Sequence, residues 1–542
     1  GDGNGYDIEA RVLDIDAISP VPEPEPQTPP PSVDDPAVDH QINTEVALDQ
    51  TEPGVATFAA DHPTLAGGHV IVWQSDGQDG DGWGVYGQLY GADGQPAGYE
   101  FQVSDRILED QANVSVAVLA DGNLVISWTD AGLDGTARVN VREFQYDGTS
   151  VQAIGDAAEI GSSGGAYYTD VTALSDGGYV LSWSILTSYH YSYAQIYDAD
   201  GNNVGATTQF SQHSGRPSAT ELSDGRVLYT WHDWSGSSTT STDSYAQIVN
   251  ADGSVAVGTF SIAAVKTGQE SNVLTGALSD GGFVAAWYEV DVGIQARHFD
   301  ASGAPTTPDI VLHTGALSNR DLSLVMLPDD GYVVFWEQSD TDGTAINVYG
   351  QRMGVDGLPV GDAFLVNELV AGDQSRMSAE LNADGEIVVT WQSDSGDGNG
   401  YDIEARVISF GVDGVVNVAP VITSDGAGET AALAIDENTT AVTTVTATDA
   451  DGDTVSYSIT GGADAALFQI DGTTGELSFV SAPDAEAPAD FDGDGTYEVV
   501  VEASDGSLTD SQAISVTVGN VNDNAPVITS DGAGETAALA ID

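Results

Sequence analysis

The chain has no cysteine, one lysine (Lys266), eight histidines and three methionines in 542 residues. Without cysteine there are no disulfides and no thiolate zinc sites. Scarce lysine and histidine leave few groups to serve as catalytic base or nucleophile. Positive charge is equally short: 12 Lys and Arg face 85 Asp and Glu, for a formal net charge of −73. Such a surface repels a phosphate backbone, so nucleic acid is excluded as a partner. No apolar run approaches the roughly 18 residues of a membrane-spanning helix, so direct membrane insertion is not expected.

What is present points to folded β-structure. Hydrophobic residues make up 41% of the chain, with nine Trp and 20 Tyr, enough to build cores and unlike an acidic disordered tail. Many of the 64 glycines sit in Asp-Gly pairs that punctuate short apolar runs, which reads as all-β. Carboxylates at this density repel one another unless counter-ions gather. Clustered Asp on tight turns suits a hard divalent cation bound through oxygen, and calcium is the expected cofactor.

Trp is the marker of an internal repeat. Trp73, Trp128, Trp183, Trp231, Trp287, Trp336 and Trp391 each close an apolar run after a Gly-bearing turn, as in LSDGGYVLSW, and recur every 48 to 56 residues. Each unit continues through a polar loop to a second turn-ended strand (YAQIYDADG, YGQRMGVDG) and a last strand (EFQVS, AFLVN). Four short strands per repeat, seven times over, predict a seven-bladed β-propeller. A unit this short does not bury both faces alone, which argues against separate sandwiches of about 100 residues each. The last repeat lacks its outermost strand, while INTEV (42–46) reads like FLVNE (364–368). Residues near 40–47 are therefore expected to complete the seventh blade.

Residues 1–12 recur identically at 396–407, and 419–436 at 525–542, so the chain reads as an internal piece of a tandem array. Residues 1–18 are expected to be a remnant strand of a preceding repeat. A Pro-rich linker follows at 19–37, where repeated Pro favours a stiff polyproline II spacer. The propeller then occupies 38–416, a β-sandwich 417–526, and the start of a further repeat 527–542. The sandwich is expected because 418–526 alternates apolar and polar residues in short strands.

Acidic turns carry the clearest chemical signal. In TDADGDT (448–454), Asp449, Asp451 and Asp453 alternate with small residues, so their carboxylates can turn to one point. ADFDGDGTYE (489–498) places Asp490, Asp492 and Asp494 at Asp-x-Asp-x-Asp-Gly spacing, without a well-placed glutamate twelve positions along. With DENT, PDAE and NVNDNAP, this segment resembles a bacterial cadherin-like domain, and the whole resembles part of a large repetitive adhesin of the RTX type. The resemblance implies calcium ligands at Glu437, at Asp449 and Asp451, at Asp484 and Glu486, and at Asn520, Asn522, Asp523 and Asn524. At the junction with the propeller the linker reads VVNVAP (415–420), with Val416 and Val418 in place of Asn, so a full interdomain calcium site is not expected there.

In the propeller, the loops after the Trp strands carry Asp76, Asp79 and Asp81, and Asp394 and Asp397. These either hold calcium or are solvated turns. Alternating strand direction puts these loops on the same rim as the connections between blades, where the repeats diverge most. Trp83, Tyr167, Tyr168, Tyr189, Tyr191 and Trp234 lie there among Ser, Thr and Asp, either as platforms for the apolar face of a sugar or packed under their own loops.

No motif selects a catalytic pair, and the 11 arginines look scattered in sequence, so the chain is not expected to be an enzyme. The expected role is an extracellular, secreted segment of a calcium-dependent bacterial surface adhesin, involved in cell adhesion and biofilm. Its propeller would bind a surface glycan or peptide of a host, neighbouring cell or matrix, and the chain would be monomeric within the array. The alternatives are a purely structural spacer and a polysaccharide-active propeller enzyme.

Overall fold

The computed structural model describes residues 39–522 apart from 45–47, 105, 107–109, 132–136, 161–164, 234–241, 265–269, 315–320, 340–344, 369, 371, 395–399, 411–415, 450–453 and 507. Among the described residues the regular structure is strand, with one 3-10 turn at Ala465–Leu467.

The described residues between 39 and 410 form seven four-stranded antiparallel sheets arranged as a β-propeller. The innermost strands are Gln50–Thr57, Gln111–Val118, Gly165–Ala173, Ser214–Glu221, Glu270–Ala277, Leu322–Met326 and Gln374–Leu381. Each neighbours the next, and the last neighbours the first, so the ring is closed. Closure comes from the N-terminal side. His40–Gln41 pairs antiparallel with Asp402–Ile408 and supplies the fourth strand of the seventh blade, after Gln374–Leu381, Ile387–Ser393 and Asp402–Ile408.

Each repeated Trp lies on the second strand of its blade and is at most 5% exposed. Its neighbours come from the preceding blade: Trp128 packs with Val70, Val72 and Leu89 of blade one, and Trp73 with Val388, Ile403 and Ala405 of blade seven. The cores therefore lie between blades, which is why one repeat cannot stand alone. Burying each indole contributes at most roughly 4 to 6 kcal/mol of transfer free energy. The turn ahead of the Trp strand explains its glycines. In LSDGGYV, Gly177 takes φ 92°. A Cβ on Gly178 would meet the carbonyl oxygen of Tyr197 at 2.2 Å, and the amide of Gly178 donates to Asp176 Oδ1 at 2.9 Å.

Residues beyond 420 form a β-sandwich. One sheet runs Thr430–Asp436, Thr509–Gly519, Thr496–Ser504, Ser456–Gly461, and the other Ala441–Thr444, Glu476–Phe479, Phe468–Ile470. Phe468, Phe479, Tyr497, Val501 and Val516 fill the space between them. Asn417 ties the two parts: its amide donates to the Ser409 carbonyl at 2.9 Å and its Nδ2 to Asp505 Oδ2 at 2.8 Å.

Candidate functional sites

Among the described residues, acidic side chains converge in threes at two places, both in the sandwich: Glu437, Asp484 and Glu486, and Asp490, Asp492 and Asp494, with ligand oxygens within 4.8 Å of one another in each group. Glu437 follows strand Thr430–Asp436, whose parallel pairing with Thr509–Gly519 brings the closing segment alongside. Its carboxylate is 2% exposed and accepts the amides of Ala485 at 2.8 Å and Val521 at 2.6 Å. Asp484 Oδ1 accepts the amides of Glu486 and Ala487, and Asn520 Nδ2 donates to Glu486 Oε1. Four of the positions implied by the cadherin resemblance are thus drawn together, Glu437 and Asp484 by backbone donors and Glu486 by the Asn520 side chain. Two like charges about 5 Å apart repel by about 3 kcal/mol at an effective dielectric of about 20. A buried glutamate with two acidic neighbours therefore suits a hard cation with oxygen ligands.

Asp490 accepts the amides of Asp494 and Gly495, which holds the second turn closed with Phe491 83% exposed at its tip. Asp449 is half-buried and Asn522 exposed. Asp451, Asp453, Asp523 and Asn524 lie outside the described residues.

In the propeller, Asp79 Oδ1 accepts the Asp81 amide at 3.2 Å, and burial pushes its carboxyl up. The amides of Asp76 and Asp394 donate to the carbonyls of Asp49 and Asp373, which ties these loops to the connections between blades. None of these aspartates enters either convergent group. Asp397 and Trp234 lie outside the described residues. The Trp83 amide donates to Asp110 Oδ1 at 3.1 Å, and its ring is half-buried. Tyr167 bonds His190 Nδ1 through its hydroxyl at 2.9 Å, and Gln212 donates to the Tyr191 hydroxyl at 3.2 Å. Tyr189 is 45% exposed and meets His213 edge-on at 5.0 Å. Tyr167 and Tyr168 line a cavity on the propeller axis.

That cavity, about 440 Å³, is where residues missed by the sequence reading gather. The third residue of five innermost strands, at a β-bulge, takes a left-handed backbone: Glu52, Asn113, Arg216, Asn272 and Arg376, with φ between 43° and 59°. The bulge turns these side chains to the axis. Arg216 Nη1 reaches Asn272 Oδ1 at 2.8 Å and Asp321 Oδ1 at 3.3 Å, while Arg376 Nη1 reaches Asp321 Oδ2 at 3.2 Å and Glu52 Oε1 at 3.4 Å. Burial pushes the Glu52 carboxyl up, against the pull of Arg376. A signal existed: Asn113, Tyr168, Arg216, Asn272, Asp321 and Arg376 each stand eight residues ahead of the Asp in the following turn (Asp121, Asp176, Asp224, Asp280, Asp329, Asp384).

Comparison with known proteins bears on the parts differently. Protocadherin Fat 4 of the mouse is 37% identical over 95 residues, which is 17% of this chain and 2% of that protein. The chain thus spans a small fraction of that curated relative. Similar solved structures include a protein of unknown function from Dyadobacter fermentans (12% identity, 68% of this chain and 97% of that one, TM-score 0.44). Another is the propeller domain of the Trilobed protease from Pyrococcus furiosus (8% identity, 66% and 95%, TM-score 0.38). Residues 432–519, which include Glu437, Asp484 and Glu486, match the cadherin domain model and form a domain of that kind.

Proposed function

We propose that this chain is an extracellular segment of a calcium-dependent adhesin, of the RTX type on a bacterial cell surface. The cadherin domain acts as a spacer stiffened by calcium, and the propeller presents a face that binds carbohydrate or peptide. The observation that carries the reading is the buried Glu437 with Asp484 and Glu486 beside it, inside a domain matching the cadherin model. Glu437, Asp484 and Glu486 would hold the ion, with Asn520 orienting Glu486. Calcium supplies positive charge that offsets the repulsion among these carboxylates, and so couples binding to folding.

Melting the full chain with calcium and with excess EDTA tests the metal. The sandwich transition is expected to fall in EDTA and to become insensitive in Glu437→Gln. An unchanged transition would sink the assignment. Glycan and peptide arrays probed in calcium test the propeller, and silence on both would remove its role in recognition.

A further inference from the structure

Three facts about the axial cavity bear on what it takes. The first is electrostatic. Among the residues lining the cavity, Glu52 and Asp321 face Arg216 and Arg376, so the lining charges sum to zero in a chain that carries −73, and Glu337, buried behind the wall where it accepts the Arg376 amide, adds a further carboxylate. An anion gains no surplus positive charge there and meets a repulsive field on approach. A cation finds both carboxylates already engaged by guanidinium groups.

The second is hydrogen-bonding capacity. Each guanidinium carries five N–H donors. The guanidinium contacts of Arg216 and Arg376 with described residues all run through Nη1, so Nε and Nη2 of both donate to no described residue. Donors and acceptors therefore alternate around the wall. That pattern matches hydroxyl groups, each of which donates and accepts at once.

The third is backbone strain. A left-handed backbone is tolerated by Asn, and blades two and five carry Asn113 and Asn272 there. Glu52, Arg216 and Arg376 adopt the same conformation with long side chains that gain nothing from it. Strain of this kind costs about 1 to 3 kcal/mol per residue and gathers where a site needs a side chain in one place. Charge is kept at these three positions against the backbone's preference, on the axis, in a cavity within the roughly 300 to 1,000 Å³ range of small-molecule sites.

We propose that the axial cavity binds the end of an uncharged saccharide, with Arg216 and Arg376 donating to ring hydroxyls, Glu52 and Asp321 accepting from them, and Tyr167 bordering the apolar face of the sugar. This rests on the reading of the propeller as a recognition module and gives that module its ligand class and its residues. A chain end fits better than a chain interior, because the side chains converge on an axial cavity rather than along an open groove.

The test is calorimetric titration of the full chain, in calcium, with neutral trisaccharides derived from cellulose, starch and chitin, and with trigalacturonate as the charged counterpart. Arg216→Asn and Arg376→Asn place the residue of blades two and five in the same backbone and so relieve strain. Both are expected to stay folded, the strain relieved offsetting part of the ion pairs lost, while losing about tenfold or more in affinity for the neutral sugar, the effect of one charged hydrogen bond. Tyr189→Ala, on the loop rim, is expected to bind as wild type. Folded arginine variants with wild-type affinity would overturn the cavity as the site, and array binding lost only in Tyr189→Ala would move it to the rim. Tighter binding of trigalacturonate, or array binding to peptides alone, overturns the uncharged-saccharide assignment while leaving recognition by the propeller standing.

Discussion

Glu270 illustrates how much one side chain can reveal through its position in a repeat. It opens the innermost strand of blade five, where blades one, two and seven have Gln50, Gln111 and Gln374. All four are buried, but only Glu270 can ionise. Burial pushes its carboxyl up to about 7, helped by the charges of Asp243 and Glu289, although the Ser244 amide donates to it at 2.8 Å. Between its ordinary 4.5 and about 7, the folded chain holds a proton that the unfolded chain has released. Folding is therefore favoured as pH falls through 7 towards 4.5, and disfavoured above. We expect Glu270→Gln to raise the melting temperature at pH 8, by a stability gain on the order of a few kcal/mol, and to flatten this part of the pH dependence. Equal slopes for variant and wild type would refute it. At Gly178 the expectation is steric: Gly178→Ala drives a methyl into the Tyr197 carbonyl and destabilises by about 1 to 3 kcal/mol in a thermal melt.

Among the elements, the closing strand shows what pattern reading can reach. The likeness of INTEV to FLVNE aligns Ile42 and Asn43 with Val366 and Asn367. In the structure the Ile42 amide donates to the Ile403 carbonyl as the Val366 amide donates to Val348, and Asn43 Oδ1 accepts the Ile403 amide as Asn367 Oδ1 accepts that of Val348. Asn43 Nδ2 adds Asp402 Oδ1 at 2.9 Å and Gln50 Oε1 at 3.0 Å, joining blades seven and one. Asn43→Ala is expected to destabilise by about 2 to 4 kcal/mol and to speed amide exchange at Ile403 ahead of the other blades. Uniform exchange across all blades would contradict a local clasp. Strands and repeats were legible because period-two alternation and Asp-Gly turns are local signals. The axial residues were less so: Arg216 and Arg376 are far apart in sequence, and only ring closure brings both to Asp321. The aromatic candidates were ambiguous for another reason. Composition does not tell whether a Tyr stands free or leans on a neighbour, and Tyr167 and Tyr189 pair with His190 and His213.

Over the whole molecule, two kinds of cohesion divide the work. The propeller is held by apolar clusters between every pair of neighbouring blades, including the last and first. Among described residues its acidic side chains form no convergent group of three, whereas those of the sandwich form two. Calcium chelation is therefore expected to separate the chain's melting into two transitions, the lower belonging to the sandwich, while the propeller transition stays in place. Calorimetry with and without EDTA reads this directly, and a joint shift of both transitions would show the two parts to be coupled through Asn417 and Asp505.

The closing strand also decides how the ring meets a pull on its ends. Asp39 and Arg406 lie side by side, because His40–Gln41 runs antiparallel to Asp402–Ile408. Tension entering at Asp39 and leaving beyond Ile408 acts on two neighbouring strands at the same end of one blade. It peels their short ladder open one bond at a time instead of shearing it, and the other six blades lie outside the path of the load. A pull on the two ends of the propeller would therefore open this one seam first, with the three other strands of blade seven and the six other blades still paired.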